Sequence, residues 1–178
     1  MGNLNSQLMQ SNRALNFAGF AVCGGMMGFA LYAQHGLLLE PCPLCVFQRI
    51  AVIAMGVIFL LAAIHNPGRL GGFIYSVLLG IAALLGMGVA GRQVWLQSLP
   101  AEKVPTCGPG LDFMLDAFPL AEAVQLVLSG SGECAEISWS LFGLSMPAWV
   151  FIACLVLAIY GIAANVLNVF RQGVWPPG

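Results

Sequence analysis

Charge is what this chain has least of. Only 7% of its 178 residues are Asp, Glu, Lys or Arg, and the formal net charge is −1. A water-facing surface needs about a quarter to a third charged residues, so a soluble enzyme is excluded. A disordered chain would be poor in apolar residues and rich in charge, and is excluded too. The basic residues number six and form no cluster, which leaves nothing to neutralise a nucleic-acid backbone. Histidine is equally scarce, with only His35 and His65. Neither a haem signature nor a flavin or nucleotide fingerprint occurs, and repeats and low-complexity segments are lacking.

What the chain has instead is apolar length. Sixty per cent of the residues are hydrophobic and the mean hydropathy is +0.91, the composition of an integral membrane protein. Crossing a hydrocarbon core of ~30 Å takes about 20 apolar residues as a helix. Four segments qualify, at about 14–33, 43–64, 73–97 and 148–168. Barrel strands would alternate every second residue, and these runs do not. The expected fold is all-α, one membrane domain built as a four-transmembrane-helix bundle. Its connections are a loop over 34–42, a tight turn over 65–72 and a long loop over 98–147. The span glycines Gly24, Gly28, Gly80, Gly86 and Gly88 read as sites of close helix packing. The run over 14–33 exceeds the 7–15 residues of a cleaved signal core, so it reads as a retained helix.

Arg13, Arg69 and Arg171 share the side of the termini and the 65–72 turn, whereas Lys103 stands alone in a loop on the opposite side. The excess of positive charge places both termini in the cytoplasm. All seven acidic residues (Glu40, Glu102, Asp112, Asp116, Glu122, Glu133 and Glu136) then fall on the outer side.

The six cysteines divide into two classes. Cys23 and Cys154 sit mid-span, where a thiol behaves as a small hydrophobe. Cys42, Cys45, Cys107 and Cys134 lie in outer loops or at an outward helix end, and in an oxidising bacterial periplasm they should form two disulfides. Cys42-Pro-Leu-Cys45 opens span two. A C-x-x-C at a helix N-terminus has its thiolates stabilised by the free N–H groups and the positive dipole end, the condition for exchange chemistry. Half a zinc site lacks ligands here, since His35 is the nearest imidazole, and a static staple closing so short a loop would stabilise little. Arg49, four residues on, shares the helical face of Cys45 roughly 10 Å inside the helix start. A charge within a span marks function, here to ionise Cys45 and bind a polar acceptor; the plain alternative is snorkelling to headgroups. Glycine- and proline-rich flanks surround Cys107 and Cys134, which suits cysteines that change partners, although a static loop disulfide fits the spacing too. Between them Leu111, Met114, Leu115, Phe118, Ala121 and Val124 recur at helical spacing, an amphipathic helix able to lie on the membrane. Disulfide exchange only relocates oxidation, so a net oxidant needs an electron sink, and a lipid-soluble quinone is the one this sequence leaves.

Taken together, the four spans, Cys42-Pro-Leu-Cys45 with Arg49, the Cys107 and Cys134 pair, Gly132-Glu-Cys134-Ala and Leu141-Phe-Gly-Leu-Ser-Met-Pro-Ala-Trp149 closely resemble the bacterial disulfide bond formation protein B family, DsbB. The resemblance implies redox-active disulfides Cys42–Cys45 and Cys107–Cys134 in an inner-membrane protein-dithiol:quinone oxidoreductase. Cys107 would take the mixed disulfide with a periplasmic thioredoxin-fold oxidase, DsbA. Cys134 would resolve toward Cys42, and Cys45 would meet a membrane quinone (ubiquinone or menaquinone) assisted by Arg49. Many relatives carry a histidine near the outer end of span three, where this chain has Gln93. A glutamine can hydrogen-bond a quinone carbonyl but cannot titrate, and Arg92 is a substitute contact or a lipid anchor. Competing readings are a vitamin-K-epoxide-reductase-like enzyme, whose C-x-x-C is expected later in the bundle, and a non-enzymatic four-span scaffold with structural disulfides.

Overall fold

The computed structural model describes residues 2–104 and 119–173. Four long helices dominate: α1 (Gly2–His35), α2 (Pro43–His65), α3 (Arg69–Gln97) and, after the long loop, α6 (Met146–Gly173). Each contains a segment long and apolar enough to cross a membrane: Asn12–His35, Pro43–His65, Arg69–Gln97 and Met146–Val166. Relative to the expected spans, α1 reaches back to Gly2 and α3 to Arg69, because hydropathy marks the apolar run and not the polar turns that continue it. The long loop contributes a single 3-10 turn (Ala101–Lys103), α4 (Leu120–Ser129), the one-turn α5 (Gly132–Ala135) and a hairpin of β1 (Ser140–Leu141) with β2 (Leu144–Ser145). Ser140 pairs with Ser145 and Leu141 with Leu144. The amphipathic stretch expected from Leu111 is helical from Leu120, after Pro119 at the N-cap; Cys107 and residues 111–118 lie outside the described residues.

Short connections make sequential helices antiparallel neighbours. α1 packs on α2, α2 on α3, α3 on α6 and α6 back on α1, closing the ring. Asn66 ends α2 in the left-handed region (φ 44°) with its N–H on Ala62 O, and α3 starts three residues later. The core holds Cys23, Val52, Met55, Phe59, Leu79, Ala83, Cys154 and Leu157. Large side chains such as Phe17, Ile64, Leu84, Leu85 and Ile159 point outward, as they must where the solvent is lipid.

Lipid is as apolar as the core, so close packing and buried polar contacts hold the helices together. Asn16 of α1 and Asn165 of α6, both fully buried, exchange amide hydrogen bonds, Asn165 Nδ2 donating to Asn16 Oδ1 at 3.1 Å. Close packing falls on glycines other than most of those the sequence suggested. Gly24, Gly28 and Gly88 face open space, whereas the tight approaches are at Gly19, Gly56, Gly86 and Gly161. Which face a glycine occupies depends on helix rotation, which a wholly apolar span does not record. At Gly161 a Cβ would meet Leu79 Cδ1 at 2.7 Å and the Phe59 ring at 2.8 Å. Gly161→Val should therefore destabilise the bundle by about 1–3 kcal/mol through overpacking, while Gly24→Val should stay within ~0.5 kcal/mol. Equilibrium unfolding in detergent, with helicity followed by circular dichroism, measures the contrast.

Candidate active site

The site is assembled on the first turn of α2. Pro43 suits the first helical position, where no N–H is required, and Cys42 is the N-cap in extended conformation (φ −67°, ψ 160°). The Cys45 N–H donates to Cys42 Sγ at 3.4 Å, so sulfur does the work of a capping oxygen. The two sulfurs of the C-x-x-C are 2.8 Å apart. All five described cysteines are free thiols.

From α3, Gln93 is buried against this pair. Its Nε2 donates to Cys42 Sγ at 3.2 Å and to Cys45 Sγ at 3.4 Å. Gln48 Nε2 donates to Gln93 Oε1 at 2.7 Å, which holds the amide nitrogen toward the sulfurs. Gln93 is thus placed beside the pair, contacting cysteine directly.

The loop delivers a third sulfur. Cys134 in α5 is fully buried in an apolar cluster with Cys42, Leu44, Leu96 and Val127. Its N–H donates to Ser131 O at 2.9 Å, and Ser131 Oγ lies 3.5 Å from Cys134 Sγ. The Cys42 thiol hydrogen-bonds Cys134, and the backbone of Leu44, in the first turn of α2, does so too. Cys42 therefore stands between Cys45 and Cys134. Donating to both and buried besides, it holds its proton well above the ordinary thiol range. Cys134, accepting from Cys42 first of all and then from Leu44 and Ser131, is lowered to about 5. Cys107 lies outside the described residues, and so does its pairing with Cys134.

Beside Cys45 opens a cleft of about 100 Å³, walled by Ala30 and Ala33 of α1, Gln48 and Arg49 of α2, Gln97 of α3 and Trp139 of the loop. Arg49 lines it, but its guanidinium is held from α1: Nη1 donates to Gln34 Oε1 and Nη2 to Ala30 O at 3.1 Å. The cleft carboxylates are Glu40 and Glu136. Arg92 is placed elsewhere. Its Nε donates to Leu128 O at 3.2 Å and its Nη2 to Ser129 O at 3.1 Å, with the guanidinium 4.3 Å above the Trp95 ring. Adjacent residues on a helix point about 100° apart, so with Gln93 turned to the sulfurs Arg92 is turned away to the loop. Cys23 and Cys154 stay in the mid-bundle core. Sequence reasoning missed Gln34, Gln48, Gln97 and Ser131; the signal available for Gln48 was an amide inside a span, one turn below Cys45.

The arrangement lets a disulfide move between Cys42–Cys45 and Cys42–Cys134, because a thiolate at either outer sulfur can attack Cys42 and expel the other. In the fully reduced protein, one thiol should ionise near pH 5 in a titration of thiolate absorbance at 240 nm. The thiolate is present above that pH and lost below it. Cys42→Ala should return the midpoint toward the ordinary thiol range, and Cys134→Ser should abolish it.

The family model described as "Disulfide bond formation protein DsbB" matches residues 12–164. A protein of Nitrosococcus oceani is 51% identical over 152 residues, covering 85% of this chain and 90% of its own. One of Hahella chejuensis is 50% identical over 143 residues (80% and 87%), and one of Chromobacterium violaceum 56% over 130 (73% and 78%). Each is named "Disulfide bond formation protein B". With four helices able to cross a membrane and three cysteines gathered at the head of one of them, the chain belongs to the DsbB family, the multi-pass bacterial membrane oxidoreductases of disulfide bond formation.

Proposed function

We propose that this protein is a dithiol:quinone oxidoreductase that reoxidises a DsbA-like periplasmic oxidase. The observation that carries the reading is Cys42 in contact with both Cys45 and Cys134, while Cys45 opens onto the cleft. A thiolate of the reduced partner attacks Cys107 of the Cys107–Cys134 disulfide and releases the Cys134 thiolate. The Cys134 thiolate attacks Cys42, breaking Cys42–Cys45 and freeing the Cys45 thiolate; the partner's second thiol attacks the mixed disulfide, closing the partner's own disulfide and releasing the Cys107 thiolate, which attacks Cys134, re-forms Cys107–Cys134 and frees Cys42, so that Cys42 and Cys45 are left reduced. Gln93 Nε2 offers its hydrogen to whichever sulfur carries charge.

The cleft fits a quinone ring. Its walls combine apolar surface with Arg49 and Gln93, and Gln97 Oε1 on its wall is buried without a partner, an acceptor that a hydroxyl of the reduced ring would satisfy. Bound there, a quinone supplies the acceptor for two electrons and two protons. Arg49, braced by Gln34 and Ala30, presents its charge beside Cys45, and Gln97 supplies the acceptor.

Reduced DsbA-like oxidase, mixed with the purified protein, should lose its thiols only when ubiquinone or menaquinone is also present. Cys107→Ser should abolish that loss yet leave quinone reduction by dithiothreitol intact. Partner oxidation undiminished in Cys107→Ser would refute the relay. Arg49→Met should raise the quinone KM about tenfold, as expected for a lost charged hydrogen bond, with the protein still inserted.

We also place the C-x-x-C end in the periplasm and both termini in the cytoplasm, on the strength of Arg13, Arg69 and Arg171. Reporter fusions after residue 178 and within 119–131 should read cytoplasm and periplasm respectively.

A further inference from the structure

The last carbonyls of a helix lack partners within it, and at the end of α4 they are met from outside. Val127 O accepts the Gly130 N–H at 3.1 Å. Leu128 O and Ser129 O accept the Arg92 guanidinium, which rests on the Trp95 ring three residues along α3. A cation at the negative end of α4 thus ties the loop helix to a rigid span. The next residue, Gly130, has φ +87° and ψ 151°, a region open in practice only to glycine. A Cβ there would lie 2.4 Å from Leu96 Cδ1, so the turn sits flat on the residue one helical turn beyond Arg92. Leu96 in turn belongs to the cluster that encloses Cys42 and Cys134. Only Gly130 and Ser131 separate the end of α4 from α5, which carries Cys134.

We infer that Arg92 and Gly130 form a latch that holds Cys134 against Cys42 and so sets how readily a disulfide passes from the loop to the bundle. Arg92 is then a positioning residue acting through α4, with no part in holding the quinone. The inference rests on the relay proposed above. The bond concerned forms when the Cys134 thiolate attacks Cys42 and displaces Cys45; the latch adds no oxidant and changes only the proximity of the two sulfurs.

The test uses the full chain with Cys45→Ser and Cys107→Ser, leaving Cys42 and Cys134 at the site. Equilibration with reduced and oxidised glutathione gives the effective concentration of one thiol at the other: two thiols and one oxidised glutathione yield the Cys42–Cys134 disulfide and two reduced glutathiones. Arg92→Gln should lower that concentration about tenfold, the loss of a two-point charge-assisted contact. Arg92→Lys, which keeps the charge but not the fork, should recover part of the loss. Gly130→Ala should lower it at least as much as Arg92→Gln. With Cys107→Ser and Cys134→Ser instead, the Cys42–Cys45 equilibrium should be unmoved by Arg92→Gln, as should the quinone KM of the protein with all its cysteines. An unchanged Cys42–Cys134 equilibrium in Arg92→Gln would overturn the latch, as would equal shifts in both pairs or an effect on quinone KM alone. Failure of the disulfide to form with Arg92 present would overturn the relay itself, and the latch with it.

Discussion

The free N–H groups at the head of α2 are the constraint on which this end of the molecule depends. A helix start must find acceptors for them, and here the acceptors are sulfurs: Cys42 takes the Cys45 N–H, and Cys134 bonds the backbone of Leu44. Capping the helix and stabilising a thiolate are therefore one interaction. The geometry also explains why the cysteines have two residues between them in sequence yet are in contact. The N-cap folds back over the first turn, and Cys45 is the residue whose N–H it meets. Docking the loop brings a third sulfur, Cys134, to the same helix end.

The bundle supplies what such a site requires, which is immobility at the wall. Gln48 and Gln93 come from adjacent antiparallel helices, and their 2.7 Å hydrogen bond fixes α2 to α3 at the depth of the cysteines. Farther down, Gly19 and Gly161 close on Phe59 from α1 and α6, locking the helices against rotation. A polar contact of this kind is expensive to break inside a bilayer because no water replaces it. The loop is held by fewer and more local contacts. Its helices are short, and its docking rests on a few contacts at the α3 surface, with one glycine turn between α4 and Cys134.

Much of this was legible before any coordinates. Span number and position follow from apolar run length, since nothing else satisfies 20 buried peptide groups in lipid, and the C-x-x-C declared its helix start through Pro43. The importance of Gln93 entered only through the family resemblance, because an amide on an apolar helix has no chemical signature of its own. Gln34 and Arg49 are partners across two helices, a relation that sequence spacing does not encode. The contacts of Arg92 with Leu128 O and Ser129 O of the loop have no signature in its sequence position, because neighbours in sequence diverge by about 100° on a helix. Of the amphipathic period from Leu111 onward, the part over Leu120–Ser129 is helical, with Pro119 at its N-cap (φ −56°).

The amide at position 93 changes the proton chemistry of the site. A histidine there would change charge near neutral pH and with it the stabilisation of every sulfur in reach. Gln93, oriented by Gln48, offers the same N–H at all pH values. The proton balance must then be kept by other groups. Cys42 holds its proton tightly through its contacts with Cys134 and Cys45, whereas Cys134 gives its up readily. With all three sulfurs reduced, the outer sulfur is thus the thiolate and the central sulfur keeps its proton. The cleft wall also carries the carboxyl groups of Glu40 and Glu136. A neutral amide between two glutamine-braced helices therefore separates the task of steadying sulfur from the task of moving protons, which an imidazole would have combined.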